Sequence, residues 1–228
     1  MQLTRTQFLE ELESLRNMLL AMGSEADRAV ADSIRSLTER DVALAERVIV
    51  QDDLLDQMDL EIEAHCMRLL ALQQPIASDL RLVGTALKII TDLERIGDHA
   101  VDIAKVARKL AKVEPSRPLA DLPRMATSVR SMLKTALAAF VKHDLNLVKE
   151  VVLADDEVDD LFHRIRSDLH AAMREEPDVV VDASYYLFVA HYLERMADHA
   201  VNIAERVHYM ETGELAQLDK SHKASSLG

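Results

Sequence analysis

Leu93-Glu94-Arg95-Ile96-Gly97-Asp98-His99-Ala100-Val101-Asp102-Ile103-Ala104 returns one hundred residues later as Leu193-Glu194-Arg195-Met196-Ala197-Asp198-His199-Ala200-Val201-Asn202-Ile203-Ala204, with nine of twelve positions identical. Within each copy the apolar residues recur at steps of three and four, the spacing of one face of an α-helix. The likeness continues upstream. Asp41, Leu44, Val48, Asp52, Asp53 and Asp56 match Asp144, Leu147, Val151, Asp155, Asp156 and Asp159 at a shift of 103, and Pro75 matches Pro177 at 102. Self-similarity at a fixed period marks a structural unit used twice.

Outward from this motif, helical period fills the chain. Phe8, Leu12, Leu15, Leu19, Met22, Ala26 and Ala29 line one face of a first helix. Pro75, Pro115, Pro118, Pro123 and Pro177 divide the helical stretches. Asp41 and Asp144 each precede an apolar-periodic run and are placed as N-caps, where a carboxylate accepts from the first free amides. The pattern predicts six helices, over about 3–40, 42–73, 77–112, 119–142, 144–174 and 180–211. Gly23-Ser24, with capping-box spacing from Ser24 to Asp27, marks a place where the first helix can break or bend. Val179-Val180-Val181 is the one short strand signal.

Three amphipathic helices can close around a shared core where one cannot. The expected fold is therefore all-α, two pseudo-symmetric three-helix bundles over 1–113 and 118–211, followed by a flexible C-terminal tail at 212–228.

Composition narrows the function. Of 228 residues, 27 are Lys or Arg and 40 are Asp or Glu, a formal net charge of −13, and aromatic residues make up 4% with no Trp. Such a chain offers neither a basic track for phosphates nor a stacking platform for bases, so nucleic acid is excluded as a partner. The single Cys66 has no intramolecular disulfide partner. No secretory leader and no run of about 18 apolar residues is present, so the reading is a cytoplasmic protein. No Gly-rich phosphate loop, nucleophile elbow or assembled nucleophile set appears, and Cys66 in its helical stretch reads as a packed thiol.

What remains unusual is where the acids fall. Glu94, Asp98 and Asp102 are spaced i, i+4, i+8 along one helix, and Glu194, Asp198 and Asn202 repeat the row with one charge fewer. Like charges at i, i+4 cost a few tenths of a kcal/mol, so a repeated row of them invites a counter-ion. The preceding helix carries its own stripe, Asp52, Asp56, Asp59 and Glu63. In the second copy Asp155 and Asp159 survive, while Phe162 and Arg166 replace the other two. Side-by-side packing of these helices would bring the rows together as a carboxylate patch suited to a hard cation, iron or manganese. Arg95, Arg195 and Lys105 are the nearby side chains that could neutralise the rows instead. His99 and His199 are read as polar or helix-packing residues in preference to zinc ligands, His191 could join the second row, and Glu205-x-x-His208 has no counterpart in the first repeat.

Leu-Glu-Arg-Ile-Gly-Asp (93–98), its copy Leu-Glu-Arg-Met-Ala-Asp (193–198), the Asp-rich helix before each, and the junction Gln74-Pro75-Ile76-Ala77-Ser78-Asp79-Leu80-Arg81-Leu82-Val83 resemble the PhoU family of phosphate-transport regulators, from about residue 8 to 211. The resemblance implies a cytoplasmic, non-catalytic, dimeric helical adaptor, a PhoU-like tandem repeat. It implies that the chain restrains phosphate uptake and the phosphate-starvation response by touching the Pst ABC transporter ATPase subunit and the PhoR-type sensor histidine kinase, meeting the membrane only through the transporter. It also implies iron, zinc, magnesium or manganese on the acidic rows, with Glu94, Asp98, Asp102 and Asp56 as one ligand set and Glu194, Asp198 and Asp159 as the other. Asn202 departs from the full row and Arg81 has no counterpart in the second repeat. The competing reading is a metal-dependent helical-bundle hydrolase or oxidase built on the same carboxylates.

Overall fold

The computed structural model describes residues 5–73, 75–111 and 121–218. Seven α-helices are assigned among them: α1 Arg5–Glu39, α2 Val42–Val50, α3 Asp52–Gln73, α4 Ala77–Leu110, α5 Asp121–Lys142, α6 Leu145–Glu175 and α7 Val180–Thr212. They trace the six expected rods, the second of which is interrupted at Gln51. There the chain keeps its Gln51 N–H to Arg47 O bond (3.0 Å) and then tightens, Leu54 N–H reaching Gln51 O at 3.1 Å. The residue at the same place in the second repeat is Ala154, and α6 runs through it unbroken. Asp52 and Asp53 fall in the first turn of α3, where negative charge complements the helix dipole.

The two turns that start these rods are built alike. Arg40 (φ 57°) and His143 (φ 55°) take the left-handed conformation at equivalent positions. Asp41 N–H then returns to Ser36 O (3.0 Å) and Asp144 N–H to Ala139 O (3.2 Å), closing the preceding helices in a Schellman arrangement. Both aspartates cap the next helix as expected, Asp41 accepting from Leu44 N–H (2.9 Å) and Asp144 from Asn146 N–H (2.8 Å).

Pro123 lies inside the first turn of α5, where its missing N–H is not needed. Pro177 opens a 3-10 turn, Pro177–Val179, and Val180 and Val181 begin α7. No strand forms among the described residues. α1 passes through Gly23-Ser24 without a break because Gly23 is buried against α5, where an added Cβ would lie 2.2 Å from Leu137 Cδ1. The expected boundary between 113 and 118 lies outside the described residues, as does Pro115 with Pro118.

α1 to α4, with α2 and α3 as one interrupted rod, form one three-rod unit and α5 to α7 the other, and the two are joined along α1 with α5 and α4 with α7. Both junctions are antiparallel. Arg16 meets His143, Gly23 meets Leu137 and Asp27 meets Arg130 along the first. Arg81 meets Met210, Thr85 meets Arg206 and Asp92 meets His199 along the second. On the helical wheel Thr85, Ile89, Asp92, Ile96, His99 and Ile103 form one stripe, separate from the line through Val83, Ala86, Ile90 and Leu93. α4 thus buries two faces, and with Val189, Met196 and Ile203 of α7 also fully buried, one continuous core runs through both units. Residues 214–218, expected to begin a flexible tail, turn back after Gly213 (φ 78°). Leu218 donates its N–H to Glu205 (2.7 Å) and packs against the core.

Candidate functional site

The repeated motif folds to the same environment twice. From Thr91 to Ala100 and from His191 to Ala200 the alternation of buried, half-buried and exposed positions is identical. Leu93, Ile96, Gly97 and Ala100 point inward with Leu193, Met196, Ala197 and Ala200, while Glu94, Asp98, Glu194 and Asp198 sit half-buried on the flank. The wall opposite each flank is α3 or α6. Gly97 lets α3 come close, since a Cβ there would stand 2.5 Å from Leu55 Cδ1. At the corresponding places the second repeat has Ala197 and the smaller Val158, both buried.

This packing brings the acidic rows of neighbouring helices together, as the spacing predicted. Burial, then the charge of Asp98, then those of Asp56 and Asp59 raise the Glu94 carboxyl above its ordinary range, with Arg95 opposing them. Burial raises Asp52 as well, helped by Asp56, Asp98 and Asp53. Asp59 is raised by burial, Glu63 and Asp56. In the second groove burial, Asp198 and Asp159 raise Glu194, opposed by His191 and Arg195. Phe162 and Arg166 stand where Asp59 and Glu63 stand in the first, the guanidinium 5.5 Å from the ring centroid. The first groove is the more acidic, and its excess comes from Asp59 and Glu63.

Asp102 lies apart from that convergence. It is bound to Lys105 (3.0 Å), and its charge falls on Tyr192 of α7, whose hydroxyl is raised by burial and by Asp102. Its counterpart Asn202 reaches the equivalent place across the seam, donating to Asp92 of α4 at 3.2 Å. His199 donates to the same Asp92 oxygen from 2.9 Å, with both side chains only 13% exposed. His99 stacks on Tyr192 with centroids 5.6 Å apart and lies 5.8 Å from the His199 ring. Burial and the nearby His199 hold the His99 imidazole below its ordinary range, and its Nδ1 is buried without a hydrogen bond. These histidines pack the seam between repeats.

The donors fit a hard cation in chemistry, being carboxylates that raise one another. Cationic side chains occupy part of that role. Arg95 reaches Glu94 (3.4 Å) and Asp98 (2.9 Å), Arg195 reaches Asp198 (2.6 Å), and His191 lies 3.3 Å from Glu194 Oε2. Among the described residues no group of three His, Cys, Asp or Glu side chains comes together closely enough to hold a metal ion. Arg95 and Arg195 would have to swing away for a cation to take their place. Glu205 is engaged by Leu218 and His208 lies beside Thr212, so that pair serves the end of α7. Cys66 is fully buried, its thiol pushed up to about 12 by burial first and then by Glu63.

Arg81 has a role the sequence could not show. Its Nε donates to Met210 O at 2.9 Å, near the C-terminal end of α7, where a cation complements the dipole. Among the described residues no helix is long and apolar enough to cross a membrane.

The sequence model of the PhoU domain matches residues 19–107 and 122–207, one match per repeat. A phosphate-specific transport system accessory protein PhoU homolog of Clostridium acetobutylicum is 41% identical over 218 residues, 95% of this chain and 100% of that protein. The homolog of Pseudomonas aeruginosa is 38% identical over 91% of this chain and 86% of its own. Among solved structures, PhoU from Pseudomonas aeruginosa superposes with a TM-score of 0.87 at 37% identity, over 91% of this chain and 100% of that one. The phosphate transport system regulatory protein PhoU from Streptococcus pneumoniae gives 0.86 at 32% identity, over 92% and 99%. Two repeats with the same helix order, the same motif and the same buried pattern, each matched by the domain model, place this chain in the PhoU family.

Proposed function

We propose that the chain is a cytoplasmic regulator of phosphate transport, a non-catalytic helical adaptor that restrains a Pst-type ABC transporter through its ATPase subunit and damps the phosphate-starvation response through a PhoR-type sensor kinase. The observation that carries the reading is the match of both repeats to one domain, shared over almost the full chain with proteins named as transport accessory and regulatory proteins. The grooves supply the chemistry of the adaptor. In this reading a hard cation is held by Glu94, Asp98 and Asp56 in the first and by Glu194, Asp198 and Asp159 in the second, with Asp102 at the margin of the first. Filling either site would require these carboxylates to draw together from two helices and Arg95 or Arg195, which otherwise neutralise the rows, to swing away. A homodimer is part of the same proposal.

The test is a deletion strain assayed for phosphate-regulated alkaline phosphatase and for phosphate uptake. Derepressed phosphatase in phosphate-rich medium and unrestrained uptake are expected. Normal behaviour in both would overturn the proposal.

A further inference from the structure

α5 is an exception in an acidic chain. From Leu122 through His143 there is no Asp or Glu, the longest such stretch in the sequence, whereas the chain as a whole carries −13. Where α5 lies along α1 the surface opens into a groove of about 360 Å³, lined by Leu20, Gly23 and Asp27 of α1 and by Lys134, Leu137, Ala138, Val141 and Lys142 of α5. Leu20 and Val141 are 38% and 36% exposed at its edges, and Leu137 forms its buried floor beside Gly23. Asp27, the one carboxylate in the lining, is already bound by Arg130 and by Lys134. The local charge is therefore positive around an apolar floor.

The internal repeat provides a comparison within the same molecule. At a shift of 103 the places of Lys134, Ala138, Val141 and Lys142 are held in α1 by Ala31, Arg35, Thr38 and Glu39, and that of Leu20 is held in α5 by Pro123. The apolar edge and the lysines thus occur at one end of the α1–α5 junction and are not repeated at the other. Packing of the two units does not require them, since the equivalent end packs without them.

We propose that this groove docks an amphipathic helix of a partner protein, its apolar stripe laid over Leu137 between Leu20 and Val141 and its acidic flank facing Lys134 and Lys142. An apolar groove with one sign of charge along its rim selects a helix of the opposite sign, the charges setting orientation and encounter and the apolar contacts setting residence. The inference rests on the adaptor reading, which requires a protein-binding surface, and it is separate from the metal grooves.

The experiment uses the full chain and a fluorescein-labelled helical peptide of about 18 residues with leucines at i, i+4, i+7 and i+11 flanked by glutamates, compared with the same peptide carrying lysines. Anisotropy titration at low ionic strength is expected to show at least about tenfold tighter binding of the acidic peptide. Lys142→Glu and Val141→Gln are each expected to weaken it about fivefold or more, while Thr38→Gln at the equivalent place leaves it unchanged. Thermal melts check that each variant is folded. Equal binding of the two peptides, or binding indifferent to Lys142→Glu and Val141→Gln, overturns the proposal. Cosedimentation with phosphatidylglycerol vesicles that Lys142→Glu abolishes overturns it in favour of a lipid surface, and a dimer abolished by the same variants overturns it in favour of a second copy. A deletion strain with the regulatory phenotype and a chain without peptide binding would remove the groove and leave the adaptor.

Discussion

Asp27 and Arg130 occupy the same position in the two repeats, 103 residues apart, and each is the other's partner: Arg130 Nε and Nη2 donate to the Asp27 carboxylate at 2.7 and 3.0 Å. A residue that meets its own counterpart lies on the pseudo-two-fold axis. His99 and His199 do the same between α4 and α7. At an axis two identical charges would repel, and the chain has resolved the first crossing with opposite ones.

This pair sets a pH dependence. Burial alone would raise the Asp27 carboxyl, but the bonds and charges of Arg130 and Lys134 outweigh it and hold the group below its ordinary 3.8. Its stabilisation is present above that value and is lost as pH falls through the folded value. Asp27→Asn is expected to cost about 1–2 kcal/mol at neutral pH, with the difference from the parent shrinking under acid. Urea denaturation across the acid range measures it, and a cost that stays constant with pH contradicts the assignment.

Gly97 and Leu55 form a size-matched pair whose counterpart is Ala197 with Val158. Gly97→Ala is expected to destabilise by about 1 kcal/mol net, overpacking against Leu55 outweighing the gain in helix propensity. Adding Leu55→Val reproduces the second repeat's solution and recovers most of the loss. Denaturation midpoints of the two single variants and the double variant test the coupling, and simple additivity would refute it.

Glu94 runs opposite to Asp27. A carboxyl whose folded value lies above its unfolded 4.5 costs stability at neutral pH, and the cost disappears as pH falls through the folded value to the unfolded one. Metal-free Glu94→Gln is expected to be more stable than the parent by a few tenths of a kcal/mol at neutral pH, and equal to it below about pH 4.5. Melting curves at both ends of that range decide it.

Elemental analysis of protein purified without chelator or affinity tag tests the grooves as cation sites. Bound metal is expected, falling when Glu94, Asp98 and Asp56 are neutralised together, and falling less when Glu194, Asp198 and Asp159 are. Asp102→Asn is expected to leave it nearly unchanged, because Asp102 is spent on Lys105. Equal loss with Asp102→Asn would restore the simple i, i+4, i+8 row.

Cys66 is expected to resist alkylation by iodoacetamide in the native protein at about pH 8 and to react fully once the chain is unfolded, because its thiol is buried and pushed up to about 12. Rapid native labelling would show that α3 opens locally.

The rods and their repetition were legible because they rest on local rules. Helical period, Asp41 and Asp144 as caps, and the shared motif need no knowledge of docking. The convergence of Asp56 with Glu94 also followed from spacing, once adjacent helices were set side by side. What the chain hid depends on the angle and register at which the two units meet. Asp102 and Asn202 are close in shape but differ in charge, and Asp102 pairs with Lys105 one turn along its own helix while Asn202 donates across the seam to Asp92. The second apolar stripe of α4, through Ile89, Ile96 and Ile103, was visible as residues but had no assigned surface until α7 was laid against it. The break at Gln51 has an equally quiet signature, a single Gln where the other repeat has Ala154.

The stripe of Ile89, Ile96 and Ile103 against Val189, Met196 and Ile203 also governs how the molecule comes apart. A chain cut between its repeats would yield two halves, each displaying an oily wall along α4 or α7, prone to pair or to precipitate alone. Heating the intact chain should accordingly give one calorimetric peak with van't Hoff and calorimetric enthalpies in agreement, although gene duplication alone would lead one to look for two.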